Sequence, residues 1–180
     1  MLIESNQCQL LLVDVQTRLV PHVQDPQRLA FNNDRLLQAT RQLNIPLLAT
    51  EQYPKGLGHT IPQLREQLKA GEIAPKEHFS AYKNGALKQL IDGRQRRQVV
   101  LCGIEAHVCV LQTAESLLQA DYQVFVVEDS CSSRNEQDKQ VALARLHQAG
   151  AVIVSTEMVI FEWIERANTD TFRALLPLIR

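Results

Sequence analysis

Cysteine is scarce in this chain and carries no pattern. The four cysteines are Cys8, Cys102, Cys109 and Cys131, and their spacings match neither a zinc site nor a Cys-x-x-Cys redox pair. Each lies in or beside an apolar segment, and a chain of 180 residues is too large to need disulfide staples. Free thiols in a reducing cytoplasm are therefore expected. Charge of one sign is missing too. The formal net charge is -1, which leaves no electrostatic footprint for nucleic acid or an anionic membrane, and neither is expected as a partner. The short basic cluster Arg94, Arg96, Arg97 reads as a solvated loop before a strand. No apolar run approaches the roughly 20 residues that cross a bilayer. Met1 to Gln9 lacks the basic flank and apolar core of a signal peptide. Gly-x-Gly-x-x-Gly and Gly-Lys-Ser/Thr are both absent, which excludes a nucleotide fingerprint. The five histidines form neither His-Glu-x-x-His nor Asp-x-His, so no metal and no cofactor are expected.

What is present is a regular alternation. Apolar β-rich runs at Cys8 to Val15, Ile45 to Thr50, Gln98 to Cys102, Tyr122 to Val127 and Ala151 to Val154 are separated by helical patterns. Helices are expected over Asp25 to Leu43, Thr60 to Leu68, around Lys88 to Ile91, from about Val108 to Ala120, and over Glu136 to Gln148. Two more, Thr156 to Glu165 and Thr169 to Leu176, finish the chain. Asp25-Pro26 supplies an N-cap and first-turn proline, and Gly150 a C-cap. The pattern predicts one α/β domain over residues 1–180. Its form is a three-layer Rossmann-like fold with a mostly parallel sheet of five to six strands and helices on both faces. The strands are continuous apolar runs, as burial on both faces requires. In such sheets ligands bind beyond the carboxyl ends of strands, near a topological switch point.

Those ends carry the chemistry. Asp14 closes the first strand after four apolar residues, where a carboxylate is costly without a partner or a role. Glu51-Gln52-Tyr53 follow the second strand and lead into the loop Pro54-Lys55-Gly56-Leu57-Gly58-His59-Thr60. Such a loop commonly just connects elements, but its first residues can line a pocket. Lys76, between Pro75 and the aromatics Phe79 and Tyr82, reads either as a surface lysine or as a covered cation for Asp14. Cys109 stands in Val99 to Ala114 (V-V-L-C-G-I-E-A-H-V-C-V-L-Q-T-A), where a strand gives way to a helix. It reads either as a buried structural thiol or as a nucleophile. A helix N-terminus favours the thiolate, and its unpaired amides can hold an oxyanion. His107, two residues away, is a pocket candidate ahead of a base.

Several segments, taken in order, resemble the isochorismatase-like cysteine hydrolase superfamily, in its isochorismatase domain-containing branch. They are V-D-V-Q, T-E-Q-Y-P-K-G-L-G-H-T, K-x-x-F-S, G-I-E-A-H-V-C-V-L-Q-T-A and D-S-C-S-S-R. The resemblance covers nearly the whole chain. It implies a triad of Asp14 as general base, Lys76 as support for the charged pair and Cys109 as nucleophile. It further implies a cis peptide at Ile104-Glu105 and an oxyanion hole from the backbone N–H groups of Glu105 and Cys109. Glu51-Gln52-Tyr53 stands where the nicotinamidase branch has its Asp-x-His metal motif. The nucleophilic cysteine is absent from true isochorismatases, which hydrolyse a vinyl ether.

The function expected from these residues is a cofactor-independent cysteine hydrolase acting on a small amide or related C–N bond through a covalent thioester. Gln16, Gln52, Tyr53, Phe79 and His107 are the expected substrate pocket. The alternative is a binding or scaffold member that kept the fold and lost efficient chemistry. The resemblance also implies a homo-oligomer, a dimer or tetramer. The large apolar side chains between Met158 and Leu178 read as core, with a subunit interface as the second reading.

Overall fold

A computed structural model of the chain describes residues 1–179. Among them, six apolar segments pair into one sheet. They are β1 (Cys8–Val13), β2 (Leu47–Gln52), β3 (Ile73–Lys76), β4 (Gln98–Ile104), β5 (Gln123–Ser132) and β6 (Val152–Val154). The strand order is β3-β2-β1-β4-β5-β6, and every neighbouring pair is parallel. Helices α1 (Pro26–Leu43), α2 (Pro54–Leu57), α3 (Pro62–Arg65), α4 (Gly85–Gly93), α5 (Leu111–Leu118), α6 (Glu136–Gln148), α7 (Thr156–Ile164) and α8 (Asp170–Leu175) connect the strands or follow the last. This is the α/β sheet that the alternating pattern predicts.

The two-residue period of β1 builds the two cores. Cys8, Leu10 and Leu12 pack with Leu36 and Leu37 of α1 and with Trp163 of α7. Leu11 and Val13 face the other way, toward Leu87 of α4, Leu117 of α5 and Leu143 of α6. Helix ends follow local chemistry. The Asp25 carboxylate accepts from the Arg28 N–H, and Pro26 opens α1. Asn135 caps α6, whose first turn carries Glu136 and Asp138 and whose last turn carries Arg145 and His147, in line with the helix dipole.

Two elements differ from the sequence reading. The sheet gains β3, a four-residue edge strand with Pro75 in it, where a missing N–H costs little. The helix expected over Thr60 to Leu68 shrinks to Pro62–Arg65. Thr60 is drawn instead into an antiparallel bridge with Gln16.

From β1 the chain runs outward through β2 and β3, and from β4 it runs the opposite way through β5 and β6. The switch point lies between β1 and β4. There the strands meet at close quarters. Gly103 has φ +113, and a Cβ on it would lie 2.1 Å from the Val13 carbonyl oxygen. Only glycine fits this approach. The β4–β5 register shifts between Leu101, opposite Val126, and Gly103, opposite Cys131, an irregularity whose extra residues lie in β5.

Candidate active site

The chain leaves β1 at Asp14, which takes a left-handed backbone, φ 51. Its side chain is fully buried, and both carboxylate oxygens are held. The Thr50 hydroxyl at the end of β2 donates to Oδ1 at 2.6 Å. Lys76 Nζ, at the end of β3, donates to Oδ2 at 2.7 Å. Each oxygen keeps a second lone pair.

The Lys76 ammonium is equally removed from solvent. It faces four oxygens: Asp14 Oδ2, Gln52 Oε1 at 2.6 Å, and the carbonyls of Phe79 at 3.2 Å and His78 at 3.3 Å. These four oxygens surround an ammonium with three protons to give.

Two glutamines lock this arrangement. Gln16 pairs with the Gln52 backbone in both directions: the Gln52 N–H donates to Gln16 Oε1 at 2.7 Å, and Gln16 Nε2 donates to the Gln52 carbonyl at 3.0 Å. Gln16 Nε2 also reaches the Gly58 carbonyl, and Gln52 Nε2 the Glu77 carbonyl. Both side chains are spent on the scaffold around Lys76.

Cys109 enters from β4. Residues Ala106–Val110 form a π-helical turn ahead of α5. The Glu105 carbonyl accepts from the N–H of Val108 and of Val110, but not from that of Cys109 between them. The Ile104-Glu105 peptide bond is cis. Cys109 is 7 % exposed, against 0 % for Asp14 and 2 % for Lys76, so it is the least covered of the three. Burial pushes the thiol up to about 12. The Asp14 carboxylate adds to the rise by charge and by hydrogen bonding, and the Lys76 ammonium opposes both. Desolvation and the neighbouring carboxylate both act against the thiolate that a helix N-terminus favours.

The other predicted pocket residues scatter. Tyr53 is 55 % exposed and lines an outer cleft of about 530 Å³ with Pro54, Pro75 and His78. The Phe79 ring is exposed, and only its carbonyl reaches Lys76. His107 Nδ1 lies 2.9 Å from the Ser133 hydroxyl.

Two groups escaped the sequence reading. Thr50 became visible only through the register that sets it opposite Val13. Glu51 carried a signal, an acid at the end of an apolar strand, but its partners were hidden. It accepts from the Thr60 N–H and hydroxyl and from Arg65, and His59 Nδ1 lies 2.9 Å from its second oxygen. Burial alone would raise its pKa, yet these partners together hold it below the usual carboxylate value.

With this geometry in place, the comparisons decide the family. Residues 8–158 match the family described as Isochorismatase domain. The chain belongs to the isochorismatase family. Among isochorismatase relatives, isochorismatase domain-containing protein 2 of Danio rerio is 40% identical over 171 residues, 94% of this chain and 85% of that one. A solved structure titled MAR1 ribonuclease from Caenorhabditis elegans superposes with TM-score 0.92 at 35% identity, covering 99% of this chain and 92% of the other. The ycaC gene product of Escherichia coli, titled an octameric hydrolase of unknown specificity, superposes with TM-score 0.94 at 26% identity, covering 99% and 89%. The isochorismatase hydrolase fold supports a hydrolase role for the chain. Among the described residues, no helix is long and apolar enough to cross a membrane.

Proposed function

We propose that the chain is a cysteine hydrolase of small amides or related C–N substrates. Asp14 is the general base, Lys76 the charge that supports it, and Cys109 the nucleophile. The observation that carries the reading is the Asp14–Lys76 pair, fully buried at the carboxyl ends of β1 and β3, beside a thiol that it perturbs from both sides. A buried ion pair is a poor way to stabilise a fold, and its place at the switch point suits chemistry.

In the resting site the thiol holds its proton. As Cys109 Sγ attacks the carbonyl carbon, that proton passes to Asp14. The oxyanion rests on the N–H groups of Glu105 and Cys109, a contribution of about 2.7–4 kcal/mol per donor in comparable sites. The π-turn supports this role by leaving the Cys109 N–H out of the bonds to the Glu105 carbonyl. Collapse of the tetrahedral intermediate breaks the C–N bond, and the leaving amine takes the proton from Asp14. Water, activated by the same carboxylate, then attacks the thioester and releases the acid and the thiol.

The near-zero net charge favours a small substrate over the polyanion named for the Caenorhabditis elegans protein. The octameric relative supports assembly of this chain with copies of itself.

The test is a screen of small amides and ureides with wild type and Cys109→Ala. Hydrolysis that disappears with Cys109→Ala is expected. Turnover that survives the substitution overturns the nucleophilic role. A folded protein inactive on the whole panel favours the scaffold reading.

A further inference from the structure

The segment after β5 touches the turn that carries Cys109 at two points. Arg134 donates twice to one oxygen of Glu105, from its backbone N–H and from Nε, each at 3.0 Å. Its neighbour Ser133 lies 2.9 Å from His107 Nδ1. Glu105 and His107 flank the start of the π-turn, so consecutive residues of one segment grip both sides of it. The segment is itself anchored to the loop after β1. Gln24 donates from its backbone to the Ser133 carbonyl at 2.9 Å and from Nε2 to the Arg134 carbonyl at 2.8 Å. The Ser132 hydroxyl donates back to the Gln24 carbonyl at 2.6 Å.

The bonds on Glu105 are unlike those of a surface ion pair. The Glu105 side chain is 13% exposed, while that of Arg134 is 66% exposed. One partner is therefore part of the turn and the other reaches in from the rim. A charge-assisted bond of this kind fixes direction as well as position.

We infer that Ser133 and Arg134 form a brace for the oxyanion side of the site, with Arg134 a positioning residue that acts through Glu105. The inference rests on the reading of Cys109 as nucleophile. Arg134 does not hold the thiol. It holds the residue whose N–H is the second oxyanion donor, and a donor displaced by a fraction of an ångström loses much of its effect.

Two small electrophiles separate these roles. p-Nitrophenyl acetate acylates a thiol through a tetrahedral oxyanion: an S–C bond forms, the C–O bond to p-nitrophenolate breaks, and the thiol proton passes to Asp14. Iodoacetamide alkylates the same sulfur by direct displacement of iodide, the proton again leaving the thiol, and needs no oxyanion donor. Arg134→Ala keeps the backbone bond to Glu105 and removes only the guanidinium. It is expected to slow acylation of Cys109 by about tenfold or more, a part of what outright loss of an oxyanion donor costs. Alkylation is expected to stay within about twofold, with the melting temperature unchanged, and Arg134→Lys is expected to recover part of the acylation rate. Equal slowing of both reactions, or of neither, overturns the brace. A wild-type Cys109 that is alkylated but never acylated overturns the nucleophile reading itself, and the brace with it.

Discussion

Lys76 Nζ donates to Asp14 Oδ2 at 2.7 Å, and neither side chain has any contact with solvent. Two charges withdrawn this far from water depend on each other. Lys76→Met removes the cation and strands the carboxylate. The fold is expected to lose about 3–5 kcal/mol in denaturant titration, as when one partner leaves a buried pair. Hydrolysis is expected to fall below detection. A loss under about 1 kcal/mol would mean that Asp14 does not need the pair.

Thr50 holds the other oxygen of Asp14. Thr50→Val keeps the shape and deletes the hydroxyl, which donates at 2.6 Å. A hydrogen bond to a charged acceptor is worth about 1.5–3 kcal/mol, and a stability loss in that range is expected. The rate of Cys109 alkylation should change with it, because the carboxylate that faces the thiol is no longer fixed. An unchanged rate would place Thr50 outside the site.

Gly103 sets the distance between β1 and β4. A methyl group there meets the Val13 carbonyl at 2.1 Å and a backbone φ of +113. Gly103→Ala is expected to cost about 3 kcal/mol or more through overpacking and the left-handed penalty combined. Gly71→Ala is the control: its φ is +84, but nothing lies within 4 Å of the new methyl. Equal losses in the two variants would show that strand contact is unimportant at Gly103.

The pH dependence of stability has two limbs. Burial pushes Cys8, Cys109 and Cys131 up to about 12, and Cys102 well above its ordinary value of 9.0. Their contribution is complete below the unfolded value near 9 and is lost as pH rises toward the folded values, by about 1.4 kcal/mol per pH unit for each thiol. Glu51 acts in the opposite direction. Its folded pKa is depressed, so its contribution is present above the unfolded 4.5 and is lost as pH falls through the lower value. A stability plateau between about pH 5 and 9 is expected, with Glu51→Gln flattening the acid limb. Cys109 alkylation should still be climbing at pH 9. A plateau near neutrality would reveal a resting thiolate.

The legible part of this molecule was the part set by local pattern. Continuous apolar runs announced the central strands, and Asp14 and Cys109 stood out because each follows such a run. Strand β3 was not legible. Four residues with a proline carry no strand period, and only the folded sheet sets them opposite Ala49 to Gln52. Thr50 looked like any strand threonine until the register set it beside Asp14. Gln16 and Gln52 read as pocket residues because polar side chains after strands commonly are, but the bonds of Gln16 to the Gln52 backbone and of Gln52 to Lys76 depend on segments far apart in sequence. The state of the Cys109 thiol was also out of reach, since desolvation is a property of the packed molecule and not of a helix position.

The covalent thioester is the centre of the account, and acid-quench mass spectrometry of the enzyme during turnover of an amide found by screening tests it most directly. Wild type should show the acyl group of that substrate on Cys109, with none on Cys8, Cys102 or Cys131. Cys109→Ala should show neither adduct nor turnover. Hydrolysis that proceeds in Cys109→Ala, or an acyl group carried by another residue, would contradict it.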